Sequence, residues 1–225
     1  MSGQSVIRCV GLVHVYPDGT RALDGIDLRI DRGERVLLTG ENGSGKTTLV
    51  RHWNGLLRPT EGTVDVAGLP AAERHVAELA LLVAISFQDP DRQIFAARCS
   101  DELRFGMRNA GVPEAEQWPL VFQTLKDVGL EGADWANPYD LGRSRRRLLG
   151  IASVLVMRSP VVVLDEPTAG LDTTQVARVR SIIDSLSKAG RTVVAISHDD
   201  RLRTRGQFDR EVRLAAGRIV ADGPA

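Results

Sequence analysis

The sequence predicts an α/β fold. Strand-like and helix-like segments alternate at both ends of the chain, an all-helical stretch separates them, and a glycine-rich loop stands where one strand hands over to one helix. Such alternation implies a mostly parallel sheet with ligands at the carboxyl ends of its strands. Val6 to Val10 and Leu23 to Ile30 alternate as strands around the turn signal Pro17-Asp-Gly19, so the front of the chain predicts a small antiparallel β layer. Glu34-Arg-Val-Leu-Leu-Thr39 then reads as a buried strand running into the glycine-rich loop, and Lys46 to Leu56 as a helix ending near Pro59. A short strand follows at Gly62 to Ala67 and weak helical character at Ala71 to Leu79. Leu82 to Phe87 is a second buried strand, ending at Gln88-Asp-Pro90.

From Ala96 to Met157 the pattern changes. Helical stretches near Ser100 to Ala110, Glu114 to Val128 and Ser144 to Met157 are joined by Gly, Pro and Asn, with no good strand between them. Alternation resumes with a strand at Val161 to Asp165, a helix at Thr173 to Ala189 and a strand at Thr192 to Ser197. A short helix is expected near His198 to Arg205, then a closing hairpin of Glu211 to Leu214 and Arg218 to Ala221 around Gly217. The expected organisation is one domain over residues 1–225, with a core of about 1–92 and 160–225 and an inserted helical subdomain of about 93–159. A chain of 225 residues can bury a core of that size.

Lys and Arg number 29 and Asp and Glu 29, so no general basic field favours nucleic acid or an anionic membrane. Cys9 and Cys99 lie far apart with no Cys or His at metal-ligand spacing, which predicts two reduced, packed thiols. The stretch Met-Ser-Gly-Gln-Ser-Val-Ile-Arg shows no apolar leader, and the longest apolar run, Leu79 to Ile85, is too short to span a bilayer. A membrane role is expected only through other chains.

The chemistry lies in spacing. Gly40-Glu-Asn-Gly-Ser-Gly-Lys-Thr-Thr48 fits a phosphate-binding loop, in which glycines turn backbone N–H groups toward phosphate oxygens, Lys46 reaches the outer phosphates and Thr47 holds Mg²⁺. A chain of this length carries roughly 0.01 such matches by chance. The expected cradle is Gly40, Asn42, Gly43, Ser44, Gly45, Lys46, Thr47 and Thr48. About 120 residues later, Val161-Val-Val-Leu places Asp165 and Glu166 at a strand end. Asp165 is expected to order Mg²⁺ and its waters, and Glu166 to orient or deprotonate an attacking water. His198 follows another apolar strand on the same edge and is expected to contact a γ-phosphate. No Asn-Lys-x-Asp guanine-reading motif is present.

Phosphate loop, Gln88 at a strand end, helical insertion, Asp165-Glu166-Pro-Thr-Ala-Gly-Leu-Asp172 and Ser197-His198 follow in an order that resembles the ATPase subunit of ABC transporters over nearly the whole chain. That resemblance implies a RecA-like P-loop NTPase core with an N-terminal antiparallel β layer and an inserted α-helical subdomain, acting on ATP with Mg²⁺. It implies that Tyr16 stacks on adenine, Gln88 touches Mg²⁺ and signals to a membrane partner, and Asp172 meets a second ATPase subunit. Tyr16-Pro-Asp-Gly19, Phe87-Gln-Asp-Pro-Asp-Arg-Gln-Ile-Phe95 and Phe105-Gly-Met-Arg-Asn-Ala-Gly-Val-Pro113 are similar to the ATPases of energy-coupling-factor importers, which take up vitamins or transition-metal ions. The usual residue at Asp89 there is Asn. This narrower resemblance implies a dimer docked to a transmembrane coupling protein and a substrate-binding membrane protein, hence a cytoplasmic subunit held at the inner face of the cell membrane by its partners.

One motif departs from the family. Leu141-Gly-Arg-Ser-Arg145 stands where the resemblance leads one to expect Leu-Ser-Gly-Gly-Gln, so Gly142 replaces the serine while Arg143 and Ser144 replace two glycines. The change removes a hydroxyl donor and puts a long side chain where backbone approaches phosphate. Arg143 and Arg145 to Arg147 also oppose the dipole of the helix they open, unless an anion sits there. A phosphate-binding cluster, a solvated basic cluster and a nucleic-acid patch are the alternatives. The expectation is a heterodimer with one competent and one degenerate ATP site; a regulatory ATP sensor and a soluble ABC ATPase unconnected with transport are the competing readings.

Overall fold

The computed structural model describes residues 4–225; Met1 to Gly3, part of the stretch read above as leaderless, lie outside the described residues. Two sheets organise the chain. The first strands, β1 (Ser5–Val15) and β2 (Arg21–Asp31), pair antiparallel, and β4 (Glu61–Val66) and β5 (Leu69–Pro70) extend them in the order β2-β1-β4-β5. The second sheet contains β3 (Arg35–Thr39), β6 (Val83–Ser86), β7 (Val161–Asp165), β8 (Thr192–Ile196), β9 (Arg210–Ala215) and β10 (Arg218–Pro224), ordered β10-β9-β3-β8-β7-β6. Every pairing from β9 through β6 is parallel, and β10 closes the edge antiparallel to β9.

All five residues of β7 and of β8 are buried. Their unbroken apolar character follows from a parallel sheet covered on both faces. Side chains alternate between two cores. Val161, Val163, Val194 and Ile196 pack with the antiparallel layer and with Leu49, Val50 and Trp53 of α1 (Lys46–Trp53). Val162, Leu164, Val193 and Ala195 face α3 (Cys99–Asn109), α4 (Glu114–Asp127), α5 (Arg143–Leu155) and α6 (Thr173–Lys188). The short α2 (Val76–Leu82) closes the first core through Leu79. The strand-free insertion thus forms a helical subdomain against one sheet face. No helix among the described residues is long and apolar enough to cross a membrane.

Three local expectations change. β1 does not stop at Val10 but runs to Val15, because Gly11 takes φ +55° and the register shifts between Cys9 and Leu12, so the glycine makes a bulge inside the strand. The first helix ends at Trp53 rather than Leu56. Gly55 takes φ +75°, and the Leu57 N–H returns to the Arg51 carbonyl at 3.1 Å. No helix forms over residues 198–205: the Asp199 carboxylate accepts the Arg201 N–H at 3.0 Å and turns follow, since an aspartate side chain competes with the helical ladder.

Both thiols are buried, and burial pushes Cys9 up to about 12 and Cys99 up to about 11 from an ordinary 9.0. At pH 8 the native thiolate fraction of Cys99 is then on the order of one in a thousand. Native protein at pH 8 is expected to resist iodoacetamide at both positions while urea-unfolded protein reacts at both; mass spectrometry of the alkylated chain checks this. Because both pKa values are raised on folding, their contribution to stability is complete below pH 9 and is lost as pH rises from about 9 through the folded values.

Candidate active site

Four parallel strands end on one edge, and each carboxyl end leads into a residue the sequence singled out. β3 leads into the loop at Gly40, β6 to Gln88, β7 terminates in Asp165, and β8 precedes His198. The loop has little steric freedom. Gly40 takes φ +136°, where a Cβ would sit 2.1 Å from the Leu214 carbonyl oxygen; at Gly45, φ +103°, a Cβ would lie 2.6 Å from the Ala22 oxygen. Only glycine fits either position, which is the physical content of the spacing.

Lys46 opens α1, and its ammonium donates to the Gly40 and Glu41 carbonyls, both at 2.8 Å, and to Ser44 Oγ at 3.3 Å. Burial holds its pKa below the usual lysine value, opposed by the negative charges of Glu166 and Asp165. Thr47 Oγ1 donates to Asp165 Oδ2 at 3.0 Å. Burial raises the Asp165 carboxyl, the Thr47 bond lowers it, and neighbouring Glu166 raises it again. Two adjacent acids at a buried strand end are electrostatically costly unless positive charge meets them.

Glu166 is 6% exposed and takes φ +49°, a left-handed backbone that side-chain-bearing residues adopt at a cost. Its Oε1 lies 2.8 Å from His198 Nδ1, its N–H donates to the Ile196 carbonyl at 2.9 Å, and its own carbonyl accepts Arg147 at 2.9 Å. These contacts fix the carboxylate's root and aim.

A cavity of about 500 Å³ unites much of the set: Tyr16, Asn42, Gly43, Gly45, Lys46, Thr47, Thr48, Gln88, Asp165 and Glu166 all line it. Its volume suits a small-molecule ligand. Gly40 and Ser44 belong to the same loop but do not line the cavity. His198 does not line it and reaches it through Glu166. The Tyr16 hydroxyl lies 3.0 Å from Thr48 Oγ1, and its ring meets His14 edge to face at 4.7 Å. Asp172 lies elsewhere, as N-cap of α6, in a capping box with Gln175 at 2.8 and 3.1 Å.

Sequence reasoning missed Thr20, Arg21 and Ala22, which line the cavity from the start of β2. The only available signal was the preceding turn, which folds β2 back beside Tyr16. It also did not separate the four arginines. Arg143 and Arg145 are exposed, Arg146 pairs with Asp91 at 3.2 Å, and Arg147 is buried. The four arginines expected as a cluster at the start of α5 thus divide into exposed, ion-paired and buried members. A second cavity of about 390 Å³ lies between Arg143, Ser144 and Arg147 on one side and Gln88, Asp89, Ala169 and Gly170 on the other. Gly142 is the N-cap of α5, and the Ser144 hydroxyl donates to the Gly170 carbonyl at 3.2 Å.

Comparison with known proteins agrees with this geometry. Residues 23–169 match the family described as ABC transporter. The chain is 39% identical over 220 residues to the energy-coupling factor transporter ATP-binding protein EcfA of Methanocaldococcus jannaschii, covering 97% of this chain and 78% of that protein. It superimposes with a TM-score of 0.84 and 33% identity on CbiO1 of Clostridium perfringens, described as part of the ABC transporter complex CbiONQ, over 98% of this chain and 89% of that one. A longer relative, from Caldanaerobacter subterraneus subsp. tengcongensis, is 42% identical over 196 residues; the match spans 87% of this chain but 34% of that protein. With a phosphate loop, a strand-end acid pair and a helical insertion arranged around one cavity, the chain belongs to the ABC transporter family, as one of its P-loop ATPases.

Proposed function

We propose that this chain binds and hydrolyses Mg²⁺-ATP to drive an importer of the energy-coupling-factor type, for a vitamin or a transition-metal ion, as one half of an asymmetric ATPase pair at the cytoplasmic face of the membrane. The observation that carries the hydrolytic part is the convergence of Lys46, Thr47, Gln88, Asp165 and Glu166 on one cavity. The relatives named EcfA and CbiO1 support the importer class. A transmembrane coupling protein and a substrate-binding membrane protein are the remaining partners in this reading.

The cradle's N–H groups and Lys46 receive the phosphates, and the Tyr16 ring offers a flat face to the base. Thr47, Asp165 and Gln88 are the residues that would hold Mg²⁺. The hydroxyl, carboxylate and amide oxygens suit a hard cation, and no group of three or more His, Cys, Asp or Glu side chains able to hold a metal occurs among the described residues. One carboxylate, with substrate phosphates and water, fits magnesium better than an all-protein cage. The ion, when bound, offsets charge on the phosphoryl oxygens. Glu166 accepts a proton from water, and His198, bonded to its Oε1, holds the carboxylate in place.

Asymmetry rests on Gly142, Arg143 and Ser144, which leave α5 without the hydroxyl and backbone access that the family's signature supplies to a partner's nucleotide. This chain's own cavity is lined by Lys46, Thr47, Gln88, Asp165 and Glu166, with His198 bonded to Glu166, and in this reading it takes an intact signature from another subunit.

Glu166→Gln is expected to lower ATP turnover of the reconstituted complex by about 10²-fold or more while nucleotide is retained; filter binding beside phosphate release measures both. Equal turnover would refute Glu166 as the base. Unimpaired transport by the complex carrying this variant would instead favour the regulatory ATP-sensor reading. The chain alone is expected to hydrolyse ATP at least about tenfold more slowly than when mixed with its partner ATPase, given the rate lost with a single oxyanion-type donor. Fast, concentration-dependent hydrolysis by the isolated chain would contradict the heterodimer. Restoring the motif with Gly142→Ser, Arg143→Gly, Ser144→Gly and Arg145→Gln together is expected to raise turnover of the pair, read in the same assay.

A further inference from the structure

Arg147, the fifth residue of α5, does not join its neighbours in solvent. It is 6% exposed, and its guanidinium NH1 donates to the Gln88 carbonyl at 2.9 Å and to the Glu166 carbonyl at 2.9 Å. No carboxylate lies within ion-pairing distance among the described residues, and its Nε is buried without a hydrogen-bond partner. Burial holds its pKa below the usual arginine value, and the like charge of Arg143 acts in the same direction, against Glu166, Asp89 and Asp165. A buried cation bonded to main-chain oxygens is a costly way to fill space, since an apolar side chain of similar volume does so without desolvating a charge. What an apolar residue cannot do is tie two carbonyls together.

Those carbonyls belong to segments that follow neighbouring parallel strands: Gln88 comes two residues after β6, and Glu166 directly after β7. One donor group on the inserted helical subdomain therefore clamps both strand ends of the core. At Glu166 the clamp bears on a residue already in the left-handed region. Both bonds leave one guanidinium nitrogen, whose two hydrogens are held in a fixed plane, whereas a lysine ammonium rotates freely on its stem.

We infer that Arg147 is a positioning residue, which fixes the main chain at Glu166 and Gln88 relative to α5 so that movement of the helical subdomain shifts the aim of the Glu166 carboxylate. This rests on the reading of Glu166 as the group that activates water. Arg147 touches no reacting atom; it acts through the backbone that carries one. Displacement of a reacting group by about 1 Å costs on the order of 10²-fold in rate, so the loss of the clamp falls on turnover and not on nucleotide affinity.

The test uses the ATPase complex purified with its native partner subunits and Mg²⁺-ATP. In Arg147→Met, kcat per nucleotide-occupied site is expected to fall by about 10- to 100-fold, with KM for ATP within about threefold of the native value. Hydrogen exchange on the full chain is expected to quicken at the amides of Gln88 and Asp89 and at the non-proline amides of 166–170 while β6 and β7 stay protected. Arg147→Lys, which keeps the charge but not the planar donor group, is expected to fall between the two rates, and it serves as the deciding variant if Arg147→Met does not fold. A kcat per occupied site within twofold of native, in whichever variant folds, overturns the inference. So does protection lost evenly across the chain. Glu166→Gln run in parallel separates the two claims: full turnover there removes the function assigned to Glu166, whereas the exchange pattern at 166–170 still decides whether Arg147 holds that backbone.

Discussion

The parallel ladder joining β6, β7, β8 and β3 is the constraint from which the rest of the molecule follows. In-register pairing of Ser86 with Leu164, Asp165 with Ile196 and Leu38 with Ile196 brings the strand ends level, so residues separated by more than a hundred positions emerge side by side. A slip of one residue in β7 would exchange its two faces, turning Val161 and Val163 from one core to the other. The acid pair would lose its place with them. Packing on both faces therefore sets the position of the chemistry at the strand tips, with no separate device required.

Electrostatics shapes the same edge. Asp165 and Glu166 are nearly buried and adjacent, Lys46 is turned onto loop carbonyls, and Arg147 makes main-chain contacts only. Charges of both signs are held close without fully neutralising one another. Backbone N–H groups and Lys46 beside this acid pair give the edge charges of both signs, the setting in which the proposed Mg²⁺-ATP would find partners for its phosphates and for its cation.

Much of this was legible from residue order. The four apolar residues before Asp165 fix a buried strand, and the glycines of the loop permit little besides a phosphate cradle, so fold and most of the cavity lining could be read directly. The failures share a cause. Gly11 carries the same letter whether it breaks a strand or bulges it, and only the pairing of β1 with β2 decides. Asp199 diverts its segment into turns through a local side-chain bond that an apolar-periodicity reading cannot detect. Arg147 has no local signal, because its burial depends on Gln88 and Glu166, 59 and 19 positions away. His198 was placed on the right edge, yet its distance from the cavity lining is a matter of side-chain reach.

The left-handed backbone at Glu166 carries a cost of roughly 1–3 kcal/mol, characteristic of such conformations in residues with side chains. Glycine at this position would relax the strain and lose the carboxylate together. Stability gained at this position would therefore come with loss of the group proposed above to activate water.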